Sequence, residues 1–336
     1  MNTLTRSAVE DSNDAGQASK SAEWCLKALR DMVAIRKFEQ AVQKQIDAGN
    51  VRGTTHVCIG QEAVAVGACD MLQKGDMVTS THRGHGHFLA AGGDMNRVMA
   101  ELFGRQDGYC HGKGGTQHMA SVEVGFVGSN GITGGGIPYA TGMALAMKMR
   151  KKSNVVLSFF GDGAANQGTF HESLNMASIW HLPIVYLIEN NQYAMGTSVR
   201  ASIKIDRLVD RAPAYGMKGI HVDGNDVIAV SDALHEAAAY ARSGDGPVLV
   251  EAKTYRMAGH SRNDRCVYRT REEEQAWGQL CPLLRLKNYL SENGYCNEGD
   301  YAELEETVDQ EVQQAIAFAG QSAYIEERQL YEGVFC

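Results

Sequence analysis

The segment VVLSFFGDGAANQGTFHESLNMASIWHLPIVYLIENN, residues 155–191, decides the fold class of this chain. Its first apolar run ends in a Gly-Asp-Gly tip at 161–163, which predicts a buried strand that stops at a loop. Residues 168–180 have helical spacing, and a second apolar run over 182–188 ends in Glu-Asn-Asn. A strand, a helix and another strand in this order predict parallel strands joined by a right-handed crossover.

The same alternation continues towards the C-terminus. Residues 219–223 and 247–252 read as two further strands, with a helix over 225–243 between them. Strands that alternate with helices are typical of a doubly wound sheet with helices on both faces. The sequence therefore predicts an α/β fold with a doubly wound, mainly parallel sheet and helical N- and C-terminal flanks.

The chain divides into three parts on this interpretation. Residues 1–21 are polar and are predicted to be a disordered tail. Residues 22–275 form the α/β domain, which begins with an N-terminal helix, and residues 276–336 form a helical C-terminal extension. Within the domain, the Gly- and His-rich stretch 81–136 shows little periodicity, and we expect a long irregular region that serves function.

Composition excludes several classes of protein. A net charge of −8 with scattered basic residues argues against general nucleic-acid binding. No apolar run approaches the ~18 residues of a membrane span. The eight cysteines lack the close pair spacing of zinc sites or disulfide frameworks, so we expect free thiols. The acidic N-terminal segment does not resemble a transit peptide, and we expect a cytoplasmic protein.

The two strand tips carry the residue types of a metal site. Asp162 and Asn191 each offer a hard oxygen at the carboxyl end of a predicted parallel strand, where ligands bind in open α/β sheets. Hard oxygens suit Mg²⁺, which commonly takes few protein ligands together with phosphate oxygens. The alternative is that Gly-Asp-Gly and Asn-Asn are simply turn formers.

A cluster of histidines raises a separate question. Residues 81–88, THRGHGHF, place three histidines and an arginine between apolar segments. From these residues alone, a metal site, a phosphate clamp and a proton-transfer site all stay open, since histidine serves in each.

The spacing between the tips points to a family. Between Gly-Asp-Gly and Asn-Asn lie residues 164–189, a separation that resembles the thiamine-diphosphate fingerprint. The segment around it resembles alpha subunits of the heterotetrameric E1 components of pyruvate, branched-chain 2-oxo acid and acetoin dehydrogenase complexes. Further matches are GTTHVCIGQEAVAVG (53–67), THRGHGH (81–87), GKGGTQHM (112–119), GSNGITGGG (128–136) and TYRMAGHS…YRTREE (254–273).

The resemblance implies a thiamine-diphosphate-binding fold with thiamine diphosphate and Mg²⁺ as cofactors. Asp162, the Asn191 side chain and the Tyr193 carbonyl would be the metal ligands. The other implied cofactor contacts are Gly163 and Ala164 beside the diphosphate at a helix start, Arg83, Arg256 and His82 on its oxygens, Gly131 and Thr133 on the aminopyrimidine, and His260. His260, His85 and His56 match active-site histidines, with His85 lining the channel, whereas His87 has no assigned role.

It also implies a reaction and partners. The chain would cleave a 2-oxo acid or acetoin and transfer the acyl or hydroxyalkyl unit to a lipoyl group on an E2 or carrier protein. The glutamate that such enzymes place on the pyrimidine N1′ comes from a beta-type E1 subunit in an α2β2 heterotetramer. We expect this chain to be inactive without that subunit.

The chain departs from the family pattern at three places. His82 stands where Tyr is usual, the loop GHSRNDRCVYR (259–269) lacks Asp-Pro-Gly, and Arg262 and Arg265 make that loop cationic. The loop length and HRGHGH are nearer to acetoin-cleaving members, and Ser261 matches a serine that mitochondrial enzymes phosphorylate. Two rival hypotheses stay open: a transketolase-like or carboligating pair that uses the same cofactor, and a non-catalytic paralogue or zinc-binding interaction module.

Overall fold

A parallel sheet forms the centre of the computed structural model, which describes residues 9–11 and 20–332. The main sheet has the order β1-β8-β9-β5-β4-β2-β3, and all its pairings are parallel. Its strands, with a separate hairpin β6-β7, are β1 (Val9–Asp11), β2 (Met77–Thr79), β3 (Phe126–Gly128), β4 (Val156–Gly161), β5 (Ile184–Asn190), β6 (Tyr193–Ala194), β7 (Thr197–Ser198), β8 (Lys218–Asp223) and β9 (Val248–Lys253). The predicted α/β class and mainly parallel sheet are confirmed.

Helices cover both faces of this sheet. The helices are α1 (Ala22–Asp47), α2 (Glu62–Cys69), α3 (His85–Ala90), α4 (Met95–Leu102), α5 (Gly136–Met149), α6 (Gly168–Ile179), α7 (Val199–Ser202), α8 (Val227–Ser243), α9 (Arg271–Gln279), α10 (Pro282–Glu292) and α11 (Glu298–Gln321). One apolar core packs α1, α2, α4, α8 and α11 against one face of the sheet. A second core packs α5 and α6 against the other face.

The central pair of strands follows directly from the sequence pattern. Every residue of β5 is buried, as expected for a strand that is covered on both faces and paired on both edges. β4 runs parallel to it, with Gly161 opposite Glu189, so both strands end at the same edge of the sheet. This register brings the two predicted strand tips together.

The stretch 81–136 is more regular than the sequence indicates. It contains α3, α4 and β3, and α5 begins at its end. α3 has only six residues and β3 has three, lengths over which neither helical nor strand periodicity can be recognised. The expectation of one long irregular region is therefore wrong, although glycine turns still separate the elements.

Three other expectations can be compared with the structure. Within the predicted disordered tail, Val9–Asp11 pairs with β8, while residues 1–8 and 12–19 lie outside the described residues. The cysteines in the described part of the chain are all free. Among the helices described, none is long and apolar enough to cross a lipid bilayer.

Candidate active site

A cavity of about 260 Å³ opens at the carboxyl ends of β4 and β5. Parallel strands present their ends at one edge, and that edge is where open α/β sheets bind ligands. The predicted site residues that line it are His82, Arg83, Thr133, Asp162, Gly163, Ala164, Asn191, Tyr193, Arg256 and His260. Gly131, His56 and His85 do not line this cavity, although the first two lie close to it.

Three residues that line the cavity offer oxygen ligands for a metal ion: the Asp162 carboxylate, the Asn191 side chain and the Tyr193 carbonyl. The Asp162 carboxylate is 2% exposed, and this burial raises its pKa to about 6. The Asn191 amide is oriented from both ends, because its Nδ2 donates to Gln61 Oε1 (2.9 Å) and its Oδ1 accepts from the Tyr193 amide (3.3 Å). A buried carboxylate beside an oriented amide oxygen is a donor set that suits a hard divalent cation.

Arg256, which follows β9, contacts the third oxygen ligand, the Tyr193 carbonyl. Its Nη1 donates to the Tyr193 carbonyl (3.0 Å), and its Nη2 donates to the Met195 carbonyl and to the Tyr268 hydroxyl, each at 2.8 Å. Its Nε is buried and has no hydrogen-bond partner. An unpartnered guanidinium nitrogen that is withdrawn from water is costly, and an anionic oxygen would satisfy it.

Arg83 supplies the second buried cation. Its Nη1 donates to the Val57 carbonyl (2.5 Å) and its Nη2 to the His260 carbonyl (3.1 Å). Burial, followed by the repulsion from Arg256, lowers the pKa of Arg83 to about 10. Two buried guanidinium groups in one cavity stabilise the negative charge that a phosphorylated ligand would bring.

Three histidines stand together beside the arginines. The ring of His56 lies 4.4 Å from that of His82 and 4.8 Å from that of His260, measured between centroids. Burial, with further repulsion from neighbouring cationic groups, lowers the pKa of His56 and of His82 to about 3 and that of His260 to about 4. All three imidazoles are therefore neutral near pH 7.

His85 occupies a different environment from the one expected. Its side chain is fully buried behind the cavity wall, with Nδ1 2.9 Å from Glu39 Oε2 and Nε2 3.1 Å from the Thr116 carbonyl. Both ring nitrogens are thus engaged within the protein. The expectation that His85 lines the channel is wrong for this cavity, because the partner that fixes it, Glu39, comes from α1.

The two glycines predicted to contact the cofactor, Gly163 and Gly131, lie in different surroundings. A Cβ on Gly163 would lie 2.6 Å from the Ala194 Cβ, so the backbone there approaches its neighbour as only glycine can. Gly131 and Thr133 are exposed, and only Thr133 reaches the cavity. A Cβ on Gly131 would meet Gln117 Oε1 at 2.9 Å, which places this loop against the segment 112–119.

Sequence reasoning missed a buried polar set on the same wall. Ser80 and Glu189 both line the cavity, and the ring of His87 joins them, with Nδ1 2.8 Å from Ser80 Oγ and Nε2 3.4 Å from Glu189 Oε1. The ring also stacks on Phe159, with centroids 3.9 Å apart. A signal for Glu189 was present in the sequence, since it directly precedes Asn-Asn at the strand tip.

In the cationic loop 259–269, Arg262 makes an exposed ion pair, whereas Asp264 makes contacts beside His260. Arg262 pairs with Asp47 at 3.2 Å, with both side chains exposed. Asp264 accepts from the His260 amide (2.7 Å) and from the Tyr268 hydroxyl (2.5 Å), so it fixes the loop beside His260. Arg265 is exposed.

Two buried arginines and three oxygen ligands at the carboxyl edge of parallel strands are typical of α/β proteins that bind a phosphorylated ligand. Comparison with known proteins narrows this class. The model of the dehydrogenase E1 component family matches residues 30–327, so the chain belongs to that family. Membership implies thiamine diphosphate as the cofactor.

Individual relatives match over nearly the whole chain. The alpha subunit of acetoin:2,6-dichlorophenolindophenol oxidoreductase from Bacillus subtilis (strain 168) is 42% identical, with 94% of this chain and 95% of the relative covered. The alpha subunit of the pyruvate dehydrogenase E1 component from Rhizobium meliloti (strain 1021) is also 42% identical, over 99% and 96%. The corresponding subunit from Rickettsia felis is 38% identical, over 93% and 95%.

Proposed function

We propose that this chain is the alpha subunit of a thiamine-diphosphate-dependent E1 dehydrogenase. It would cleave a 2-oxo acid or acetoin and pass the acyl or hydroxyalkyl unit to a lipoyl group on an E2 or carrier protein. The observation that carries the proposal is the convergence of Asp162, Asn191 and the Tyr193 carbonyl with two buried arginines in one cavity. The relatives reported above give no support to the carboligating pair or to the zinc-binding module.

The residues present fit the diphosphate and its metal. The Arg256 Nε is buried without a partner, and burial, with a smaller contribution from the Glu189 carboxylate, raises the pKa of Asp162 to about 6. A bound Mg²⁺ would offset the buried carboxylate, and diphosphate oxygens would satisfy the guanidinium. Asp162, Asn191 and the Tyr193 carbonyl would hold Mg²⁺, while Arg83, Arg256 and His82 would hold the diphosphate against Gly163 and Ala164.

When bound, thiamine diphosphate supplies the carbanion chemistry that this reaction requires. The protein supplies orientation and proton handling. His260 is fixed through its own backbone by Arg83 and Asp264, which leaves its neutral ring beside the cavity. A neutral imidazole can accept or donate a proton at an oxygen of the substrate, and we assign this role to His260 with His56 adjacent.

His85 has a positioning role in this proposal. It links the buried Glu39 carboxylate to the Thr116 carbonyl, and Glu39 also accepts from the Cys58 amide at 2.8 Å. These contacts hold the segment 53–60, which carries His56, against the segment 112–119. His85 would therefore act through the backbone of both segments and not on the substrate.

A beta-type subunit would complete the site. The carboxylates lining the cavity are Asp162 and Glu189, both buried on the sheet edge, so the aminopyrimidine end has no carboxylate from the described part of this chain. Large apolar side chains are exposed nearby, including Ile132 (72%) and Met195 (66%) at the cavity rim. We take these side chains to be part of the surface that the other subunit would cover. The partner's glutamate would then meet the pyrimidine N1′ in an α2β2 assembly.

Reconstitution tests this proposal. The full chain is co-expressed with a beta-type E1 subunit from the same organism, and the purified pair is assayed with an artificial electron acceptor. The substrates are pyruvate, a branched-chain 2-oxo acid, acetoin and a ketose phosphate. We expect turnover of at least one of the first three, dependent on thiamine diphosphate and absent from the chain alone. Turnover of the ketose phosphate alone, or none that depends on the cofactor, would refute the proposal.

A further inference from the structure

Three imidazoles converge at one side of the cavity. The side chains of His56, His82 and His260 each offer one ring nitrogen, and these three nitrogens lie within 4.8 Å of one another. Within the described part of the chain, no other group of three His, Cys, Asp or Glu side chains meets this condition. The set shares no residue with the three oxygen donors proposed for Mg²⁺.

We propose that His56, His82 and His260 bind one late first-row divalent metal ion, such as Zn²⁺ or Co²⁺, with the fourth coordination position open. Imidazole nitrogen suits Zn²⁺, Co²⁺ and Ni²⁺, whereas Mg²⁺ prefers oxygen ligands. Three protein ligands with an open position distinguish this site from a closed structural zinc site.

A second, independent observation comes from His56. This residue is 7% exposed, and its Nδ1 is buried with no hydrogen-bond partner. A buried polar nitrogen without a partner carries a desolvation cost. When the ring coordinates a metal through one nitrogen, the other is fixed as an N–H donor, and coordination by the unpartnered atom itself would remove its cost.

The three rings can move towards a shared metal ion, because they belong to loop segments and not to the core of a helix or strand. Zn–N bonds of about 2.0–2.1 Å require ligand nitrogens roughly 3.4 Å apart, so each ring must move inward by on the order of 1 Å.

Two neighbouring arginine side chains disfavour the binding of a metal ion to the three histidines. Arg83 Nη2 lies 3.4 Å from His260 Nδ1, and Arg256 lies on the same cavity. These guanidinium groups weaken the binding of any cation in the empty cavity.

Occupation of this site would inhibit the enzyme. A ring whose lone pair coordinates a metal cannot accept a proton, and an ion at the open position would compete for the oxygens of the substrate. This consequence rests on the proposed function, whereas binding of the ion does not.

Cobalt titration of the full-length chain tests the site. Co²⁺ is added without cofactor or substrate, and the visible d–d absorption of a four-coordinate ion is recorded together with the bound metal after dialysis. We expect one Co²⁺ per chain, displaced by Zn²⁺ but not by excess Mg²⁺. His82→Phe and His260→Asn should each lower the affinity by at least about 100-fold, since loss of even an outer-shell partner costs 10–100-fold.

The matched control is His171→Asn. His171 is exposed, and its hydrogen bond to the Tyr215 hydroxyl involves none of the three rings. We expect its affinity for Co²⁺ to equal that of the unmodified chain. Circular dichroism shows whether each variant folds. If one of the two test variants, His82→Phe or His260→Asn, does not fold, the other one decides the test. The inference is overturned if no stoichiometric four-coordinate Co²⁺ forms, or if folded His82→Phe and His260→Asn bind it unchanged. Neither result bears on the reconstitution assay.

Discussion

The guanidinium of Arg256 donates to the carbonyl oxygen of Tyr193 across 3.0 Å, and so ties the end of β9 to the hairpin that follows β5. The same guanidinium donates to the Met195 carbonyl in that hairpin. A carbonyl oxygen has two lone pairs, so the Tyr193 oxygen can accept from Arg256 and still face a metal ion. Arg256 therefore fixes one proposed metal ligand, and in the proposed function it would also bind the diphosphate.

A substitution of Arg256 tests both roles of its guanidinium group. Arg256→Lys keeps the charge but cannot donate to both carbonyls in the same geometry. We expect the affinity for thiamine diphosphate, measured by calorimetry on the complex with the beta-type subunit, to fall about 10- to 100-fold, as for loss of one or two charge-assisted hydrogen bonds. The exposed Arg200 offers a matched control, and Arg200→Lys should leave the affinity unchanged. An unchanged affinity in Arg256→Lys would contradict the assignment.

The buried Glu39–His85 pair predicts a pH-dependent stability. Burial alone would raise the pKa of Glu39, but His85 and the Cys58 amide together hold it below its ordinary value of 4.5. A carboxyl with a depressed folded-state pKa stabilises the fold fully above about pH 4.5, and this stabilisation is lost as the pH falls through the folded pKa. Glu39→Gln should lower the free energy of unfolding at pH 7 by about 3–5 kcal/mol.

Denaturant unfolding from pH 7 to pH 3 measures this effect. The difference between the unmodified chain and Glu39→Gln should shrink as the pH falls below 4.5. The control is Glu23→Gln at an exposed position, which should change stability by less than about 0.5 kcal/mol. A difference that is constant over the whole pH range would show that the Glu39 charge contributes nothing.

Glu101 organises the glycine-rich loop that precedes Thr116. Its carboxylate is fully buried and accepts from four backbone amides, those of Cys110 (2.7 Å), Gly112 (2.9 Å), Gly114 (2.8 Å) and Gly115 (3.0 Å). Glu101→Gln replaces one acceptor oxygen by a donor, which leaves some of these amides unsatisfied. We expect stability to fall by at least about 2 kcal/mol.

Hydrogen exchange distinguishes this local effect from a global one. The amides of Gly112 and Gly114 should lose protection in Glu101→Gln by more than those of β5, because they lose their acceptor directly. Glu123→Gln serves as the control, since that side chain is 78% exposed. Uniform loss of protection along the chain would argue against a specific role in the loop.

The core of the fold was predictable because its signal is local. β4, α6 and β5 follow one another with long apolar runs and a helical segment between them, and parallel strands must present Asp162 and Asn191 at one edge. Short elements were not predictable, since three residues in β2 or six in α3 contain too few periods to distinguish a strand or helix from a loop.

The candidate site was predictable at the strand tips but less so elsewhere. His85 looked like a channel residue because its buried partner, Glu39, lies in α1 and nothing in the local sequence indicates the pair. Glu101 was missed for a related reason: glutamate is usually exposed, and its four donors belong to the backbone, which carries no sequence signal. The convergence of His56 with His82 and His260 likewise depends on the tertiary fold.

The most direct test of the proposed function is calorimetric titration of thiamine diphosphate into the complex with the beta-type subunit, with and without Mg²⁺. For the unmodified complex we predict tight binding that requires Mg²⁺. Asp162→Asn should lower the affinity at least about 100-fold, since it removes the charged metal ligand, whereas Asp206→Asn, at an exposed position, should not change it. Binding that is independent of Mg²⁺ and equally tight in Asp162→Asn would contradict the proposed function.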